Sequence, residues 1–231
     1  MRERPIIFNA DMVRAVLDGR KSQSRRIMRV QPDSAGFESR FIIDSTKRSE
    51  IGKWCWAEPG VFVNPLRSAL FSCPFGEIGD RLWVRETFRV HSRATDVATL
   101  VYKASEQQSW TQQTHRVPIE KCHKPAVVDK WTPSIHMPRW ASRITLEITG
   151  VRVERLQDIS HSDAKSEGCW YGRGGGEPDF AVNPSGHFPT LWASIYGEEN
   201  WQANPWVWVI EFKPAAVHTK GSSISSISSE P

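Results

Sequence analysis

Residues 5–28 read Pro5-Ile-Ile-Phe-Asn9-Ala-Asp-Met-Val-Arg-Ala-Val-Leu-Asp-Gly19-Arg-Lys21-Ser-Gln-Ser24-Arg-Arg26-Ile-Met28. Pro5 to Phe8 is a short β-branched and aromatic run, which predicts an opening strand. Asn9 suits the N-cap of a helix over about residues 10–18, where Met12, Val13, Val16 and Leu17 share one face. Gly19 is its C-terminal stop. The polar run Arg20 to Arg26 then leads into a second strand at Ile27-Met28. A strand, a helix and a strand in such quick succession announce a mixed fold.

Outward from there, residues 32–75 carry Pro32, Gly36, Gly52, Pro59, Gly60, Pro65 and Pro74 and read as an insertion, with a hairpin around Gly60-Val-Phe-Val63. Gly76-Glu-Ile-Gly-Asp80 is a turn that delivers the strand Arg81 to Glu86, and Asp80 shapes that turn. Another strand is expected over Thr99 to Lys103, followed by a polar stretch to about residue 130. Arg143-Ile-Thr-Leu-Glu-Ile-Thr149 alternates polar and apolar residues, so one face is buried, and Val151 to Leu156 resumes the pattern after Gly150. Ser160 and Ser162 are caps for a short helix ending at Gly168. Residues 171–187 are a Gly- and Pro-rich loop, Phe188 to Tyr196 suits a helix, and Pro205 to Phe212 suits a closing strand. Residues 214–231, with six serines between Ser222 and Ser229 and no aromatic residue, are expected to stay disordered. Several strands with few, short helices make an α+β domain over residues 1–213, built round a compact sheet or barrel.

Composition narrows the class. At 231 residues, 39% hydrophobic and 24% charged, the chain can bury a core. The longest apolar run, Trp206 to Ile210, is far short of the ~20 residues of a membrane span. No apolar run follows Met1-Arg-Glu-Arg-Pro5, so a secretory signal is not expected either. Cys55, Cys73, Cys122 and Cys169 contain no CxxC pair and suit reduced thiols in a cytoplasmic protein. Cys122-His123, His91, His136 and His187 have no metal-ligand spacing, so no metal is expected. No cofactor is expected. The net charge is +4, yet residues 1–31 alone hold eight Arg/Lys against Glu3, Asp11 and Asp18. That basic segment is a local anion-binding surface or a solvated strand edge.

The chemistry points to Lys21 and Ser24. A turn would bring these two side chains to one side, among Arg20, Arg25 and Arg26. Neighbouring positive charge and burial both favour a neutral lysine. A neutral lysine can take the proton of a hydroxyl, which makes Ser24 a nucleophile. The plainer reading is that Lys21 and Arg26 hold a phosphate. Glu86 beside Arg85 suits an ion pair. Trp83, Trp192, Trp206 and Trp208 belong to core patterns, whereas Trp170, opening the glycine-rich loop, is open to base stacking or to packing.

Phe8, the helix after it, and Gly19-x-Lys21-x-x-x-x-Arg26 resemble the GxKxxxxR signature of ASCH domains, members of the PUA-like β-barrel superfold. Gly79-Asp80 with Leu82-Trp-Val84, and the closing Trp208-Val-Ile-Glu-Phe212, resemble further elements of that fold. The resemblance covers about residues 5–31, 76–103 and 139–213. It leaves 32–75, 104–138 and 171–187 as additions, an arrangement most like the longer ASCH proteins of bacteriophages and prophages. It implies a PUA-like barrel with short flanking helices and loop insertions, directed at a nucleoside or RNA. The N4-acetylcytidine amidohydrolases of the superfamily use a lysine in the GxK motif, a threonine three residues later and a glutamate in an Ala-x-x-Glu helix. Lys21, Ser24 in place of the threonine, and Glu167 in Ala164-Lys-Ser-Glu167 match that set. The resemblance thus implies a catalytic triad of Lys21, Ser24 and Glu167, with Arg20, Arg25, Arg26 and Trp170 around the substrate. Turn N–H groups or Arg26 would stabilise the oxyanion. A non-catalytic reader of RNA or modified nucleic acid, and an ASCH-type ribonuclease, would use the same basic residues.

Overall fold

In the computed structural model, which describes residues 1–34, 36–61, 66–169 and 183–215, the opening segment folds as β1 (Glu3–Ile7), α1 (Ala10–Leu17) and β2 (Gln23–Ile27). Asn9 caps α1, its side chain accepting from the Met12 N–H at 2.8 Å. The helix buries Val13, Ala15 and Val16. The second strand begins earlier than Ile27: the polar stretch Gln23-Ser-Arg-Arg itself is the strand. Its backbone pairs with the closing strand, and its polar side chains find partners inside the protein, so apolar periodicity did not mark it.

Among the described residues eight further strands follow: β3 (Glu38–Phe41), β4 (Trp54–Ala57), β5 (Arg81–Arg85), β6 (Phe88–Arg93), β7 (Val97–Tyr102), β8 (Thr114–Pro118), β9 (Thr145–Arg155) and β10 (Trp206–Pro214). The remaining helices are α2 (Trp110–Gln113), α3 (His161–Ser166), α4 (Pro184–Tyr196) and α5 (Glu198–Gln202). The central sheet has the order β1-β5-β9-β10-β2. β1 lies parallel to β5 and the other pairs are antiparallel. It is an α+β architecture dominated by sheet. The sheet does not close into a barrel, because β1 and β2 remain its two edges. A side chain spans them, the Arg26 guanidinium donating to the Ile7 carbonyl at 2.7 Å.

The sheet has two buried faces. On one, Ile6, Leu82, Leu146, Ile148, Ile210 and Phe212 pack with Phe8 and α1. On the other, Val207 and Val209 pack with Leu156, Ala164 of α3, and Phe188 and Trp192 of α4. β10 is therefore apolar at nearly every position, as expected of a strand covered on both sides. β9 runs unbroken through Gly150, and the irregularity falls opposite it, as a register shift between Glu211 and Phe212. β10 also continues past Phe212 to Pro214, and the Ala215 N–H donates to the Thr145 carbonyl. The rest of the serine-rich tail lies outside the described residues.

Within residues 32–75, β3 and β4 form a small antiparallel sheet. The hairpin expected near residues 60–63 falls largely outside the described residues. β4 is tied to the main body, with the Trp54 ring edge-on to Trp208 at 5.6 Å and Trp56 at 5.0 Å from Trp206. Trp192 and Trp208 are core residues, while Trp83 and Trp206 are half-buried beneath the guanidinium groups of Arg85 and Arg155. The third sheet, β6-β7-β8, has its own core of Phe88, Val90, Leu100, Tyr102 and Val117. Two of its strands, β6 and β8, were absent from the sequence expectations. β8 has one buried apolar residue, Val117, so it carries no alternating pattern to read.

Glu86 is the ion-pair residue its setting predicted. It links the two larger sheets by accepting from Arg143 Nε at 2.9 Å and Nη2 at 3.0 Å, with Arg143 stacked 4.0 Å over the Tyr102 ring. Burial pushes the Glu86 carboxyl up, and Arg143 opposes that shift. Asp80 shapes its turn, its carboxylate accepting from the Arg2 N–H at 2.7 Å and the Glu77 N–H at 3.4 Å. Among the described residues, no helix is long and apolar enough to cross a membrane.

Candidate functional site

Two glycine-ended helices meet at the edge of β2. After α1, Gly19 turns the chain with φ +71°, and the Arg20 and Lys21 N–H groups both donate to the Ala15 carbonyl, at 2.8 and 2.9 Å. Lys21 is thereby folded back against its own helix. α3 starts on a Ser160–Asp163 capping box and ends at Gly168, whose φ is +98°. The Ser22 N–H donates to the Ser166 carbonyl at 2.9 Å and docks the two ends on each other. A Cβ at Gly168 would lie 3.2 Å from the Ala15 Cβ and 3.6 Å from the Lys21 Cβ. The approach requires glycine. Gly168→Ala is expected to cost about 1–3 kcal/mol, from left-handed backbone strain and the clash with Ala15, read as a lower melting temperature.

This docking unites Lys21 and Glu167, residues 146 apart in sequence. Lys21 Nζ donates to Glu167 Oε2 at 2.8 Å and to the Glu167 carbonyl at 2.9 Å. The Lys21 and Glu167 side chains are 1% and 5% exposed. Burial lowers the Lys21 pKa below its usual 10.5, the Glu167 carboxylate holds it back, and Arg26 adds to the lowering. Cys169 lies beside the pair. Its thiol is pushed up to about 12 by burial and by Glu167, which leaves it protonated and inert at neutral pH.

β2 divides its side chains between two faces. Gln23 and Arg25 stand opposite Glu211 and Val209, on the side of α3 and α4. Arg25 is wholly enclosed by carboxylates: Glu154 at 2.9 Å, Asp163 at 3.4 Å and Glu167 at 3.4 Å. Arg152 extends the network to Glu154, Asp163, Glu211 and the Gln23 side-chain oxygen. Burial raises the Asp163 pKa, but Ser160, Arg25 and Arg152 outweigh it and hold the carboxyl below its usual range. Arg25, expected beside a substrate, is instead consumed by internal acids.

Ser24 and Arg26 stand opposite Ile210 and Trp208, on the side of Phe8. The Arg26 guanidinium carbon lies 5.6 Å from the Phe8 ring centroid, and Lys21 Nζ lies 5.7 Å from it. Ser24 is buried and makes no side-chain hydrogen bond among the described residues. Arg26 donates to the Tyr196 hydroxyl at 2.9 Å and to Ile7, which leaves its buried Nε–H without an acceptor among the described residues. The turn amides of Arg20, Lys21 and Ser22 are all committed to carbonyls, so an oxyanion would not find its donors there. Arg20 pairs with Asp18 at 2.8 Å. Trp170 lies outside the described residues. Among the described residues, no group of three or more His, Cys, Asp or Glu could hold a metal ion.

Sequence reasoning did not single out Glu154, Asp163, Arg152 or Tyr196 as members of this cluster. Three of them sit on β9 and α3 as ordinary charged residues, and no local spacing distinguishes them. Comparison with family models, curated proteins and solved structures returned no match.

Proposed function

We propose that this chain is an ASCH-type amidohydrolase, which removes an acyl group from the exocyclic amine of a pyrimidine nucleoside such as N4-acetylcytidine. The Lys21–Glu167 contact carries this reading: a buried lysine and a buried carboxylate, far apart in sequence, share a hydrogen bond at a basic turn. The same reading takes the open five-stranded sheet as a PUA-like barrel bridged by Arg26. Neutral Lys21 accepts the Ser24 hydroxyl proton as Ser24 Oγ bonds to the acyl carbon. The unpartnered Arg26 Nε–H, on the Ser24 side of β2, is the donor available to the oxyanion. As the acyl carbon–nitrogen bond breaks, Lys21 and Glu167 return the proton to the leaving amine. Water then cleaves the serine ester, releasing the carboxylic acid and regenerating Ser24.

A non-catalytic reader of modified nucleosides is the second reading. It is favoured by the absence of a Ser24–Lys21 hydrogen bond among the described residues. Incubation with a panel of N4-acylated cytidines, with cytidine release followed by mass, separates the two. Turnover is expected for at least one acyl group. Saturable binding of the nucleosides without release of cytidine would replace the enzyme by the reader.

A further inference from the structure

We infer that the β6-β7-β8 sheet and its flanks form a binding surface for single-stranded nucleic acid, with Trp110 and Trp131 as base-stacking platforms. This surface is independent of the Lys21 site and does not rest on the hydrolase reading. Its first support is the distribution of charge. Four of the eight Arg/Lys in residues 1–31 are held by carboxylates, with Arg14 on Asp11, Arg20 on Asp18, Lys21 on Glu167, and Arg25 on three carboxylates. Residues 88–131 instead hold seven Arg/Lys against four acidic residues, a net charge of +3. Arg93, Arg116 and Lys121 are exposed there.

The second support is the setting of the two tryptophans. Trp110, at the start of α2, is 52% exposed and stands edge-on to His91 of β6, with ring centroids 4.8 Å apart. Tryptophan is usually among the more buried residues, so an exposed ring edged by an imidazole points to a ligand with an aromatic face. Arg89 and Lys103 lie over the Trp131 ring, 4.8 and 5.3 Å from its centroid, so this ring gathers two cations, and a base or phosphate reaching it would have to displace or share one of them. Thr99 and Arg116 stand opposite each other on the face away from the buried Leu100, which puts a polar pair on that face. Basic residues along a strand face with interleaved aromatic rings fit a polyanion whose bases are unpaired. A bilayer would instead require a continuous apolar face.

The test uses the full chain and a fluorescein-labelled oligouridylate of about 15 nucleotides, the upper range of a single-strand site, read by anisotropy. Binding should weaken as salt rises, through counterion release. Trp110→Ala should lower affinity about tenfold, as loss of one stacking platform implies. The pair Arg93→Glu and Arg116→Glu should weaken binding and flatten the salt dependence. Lys21→Ala should leave oligouridylate affinity unchanged, and a duplex of equal length should compete poorly. The inference is overturned by absence of binding, or by full affinity in both the tryptophan and the arginine variants. Binding to phosphatidylcholine–phosphatidylserine vesicles in preference to oligouridylate would also overturn it.

Discussion

Arg25→Met is expected to lower the free energy of unfolding by about 3–5 kcal/mol at neutral pH, the scale for a buried ion pair that loses one partner. The Arg25 side chain is 0% exposed, and Glu154, Asp163 and Glu167 surround it. Methionine fills much of the volume but leaves these carboxylates without their central cation. The pH dependence follows from Asp163. Its folded pKa lies below the unfolded 3.8, so its stabilisation is full above that value and is lost as pH falls through the folded pKa. The Ser160 hydrogen bond lowers it most, and the Arg25 charge comes next. The deficit of Arg25→Met should therefore be widest at neutral pH and should narrow below about pH 4. Urea denaturation at several pH values checks both statements, and an equal deficit at pH 3 and pH 7 would contradict the second.

Lys21→Ala is expected to abolish hydrolysis of N4-acetylcytidine. Ser24→Ala should do the same, whereas Ser24→Thr, which keeps the hydroxyl, should retain turnover. Loss of a general base alone removes a factor of about 10²–10⁴, and an uncompensated nucleophile adds to this. Because burial lowers the Lys21 pKa, turnover should rise with pH and level off before 10.5. The same shift has a stability consequence of definite sign. Between the lowered folded pKa and the unfolded 10.5, the unfolded chain binds more protons, so the native protein gains stability as pH rises through that window. Lys21→Met should lack this gain. Activity retained in Lys21→Ala, with an unchanged pH profile, would reduce the Lys21–Glu167 contact to a structural ion pair.

The strength of local signals decided what could be read in advance. Asn9 and Ser160 were legible as caps because a cap is a local hydrogen bond, and both accept the expected N–H groups. β9 and β10 were legible because strand burial imposes an apolar pattern. β2, β6 and β8 were read late or not at all. Gln23-Ser-Arg-Arg26 is polar throughout, and it is a strand because β10 supplies its backbone partners. Tertiary pairing overrides local preference at such strands.

Lys21 and Ser24 stand out by their spacing and Glu167 only by a family resemblance, and none of these signals gives their environments. A basic run in a sequence specifies charge without specifying which carboxylates fold against it. Net charge at residues 1–31 suited an anion-binding surface or a solvated strand edge, whereas the fold turns Arg25 inward to three acids drawn from β9 and α3 and its immediate C-terminal end. Local chemistry was enough for the caps, the glycine stops and the closing strand. The pairing of Lys21 with Glu167, the burial of Arg25 and the open edges of the sheet arise only when segments more than a hundred residues apart pack together. Electrostatic partners are set by distance in space, and sequence patterns record neighbours only within a turn or a strand.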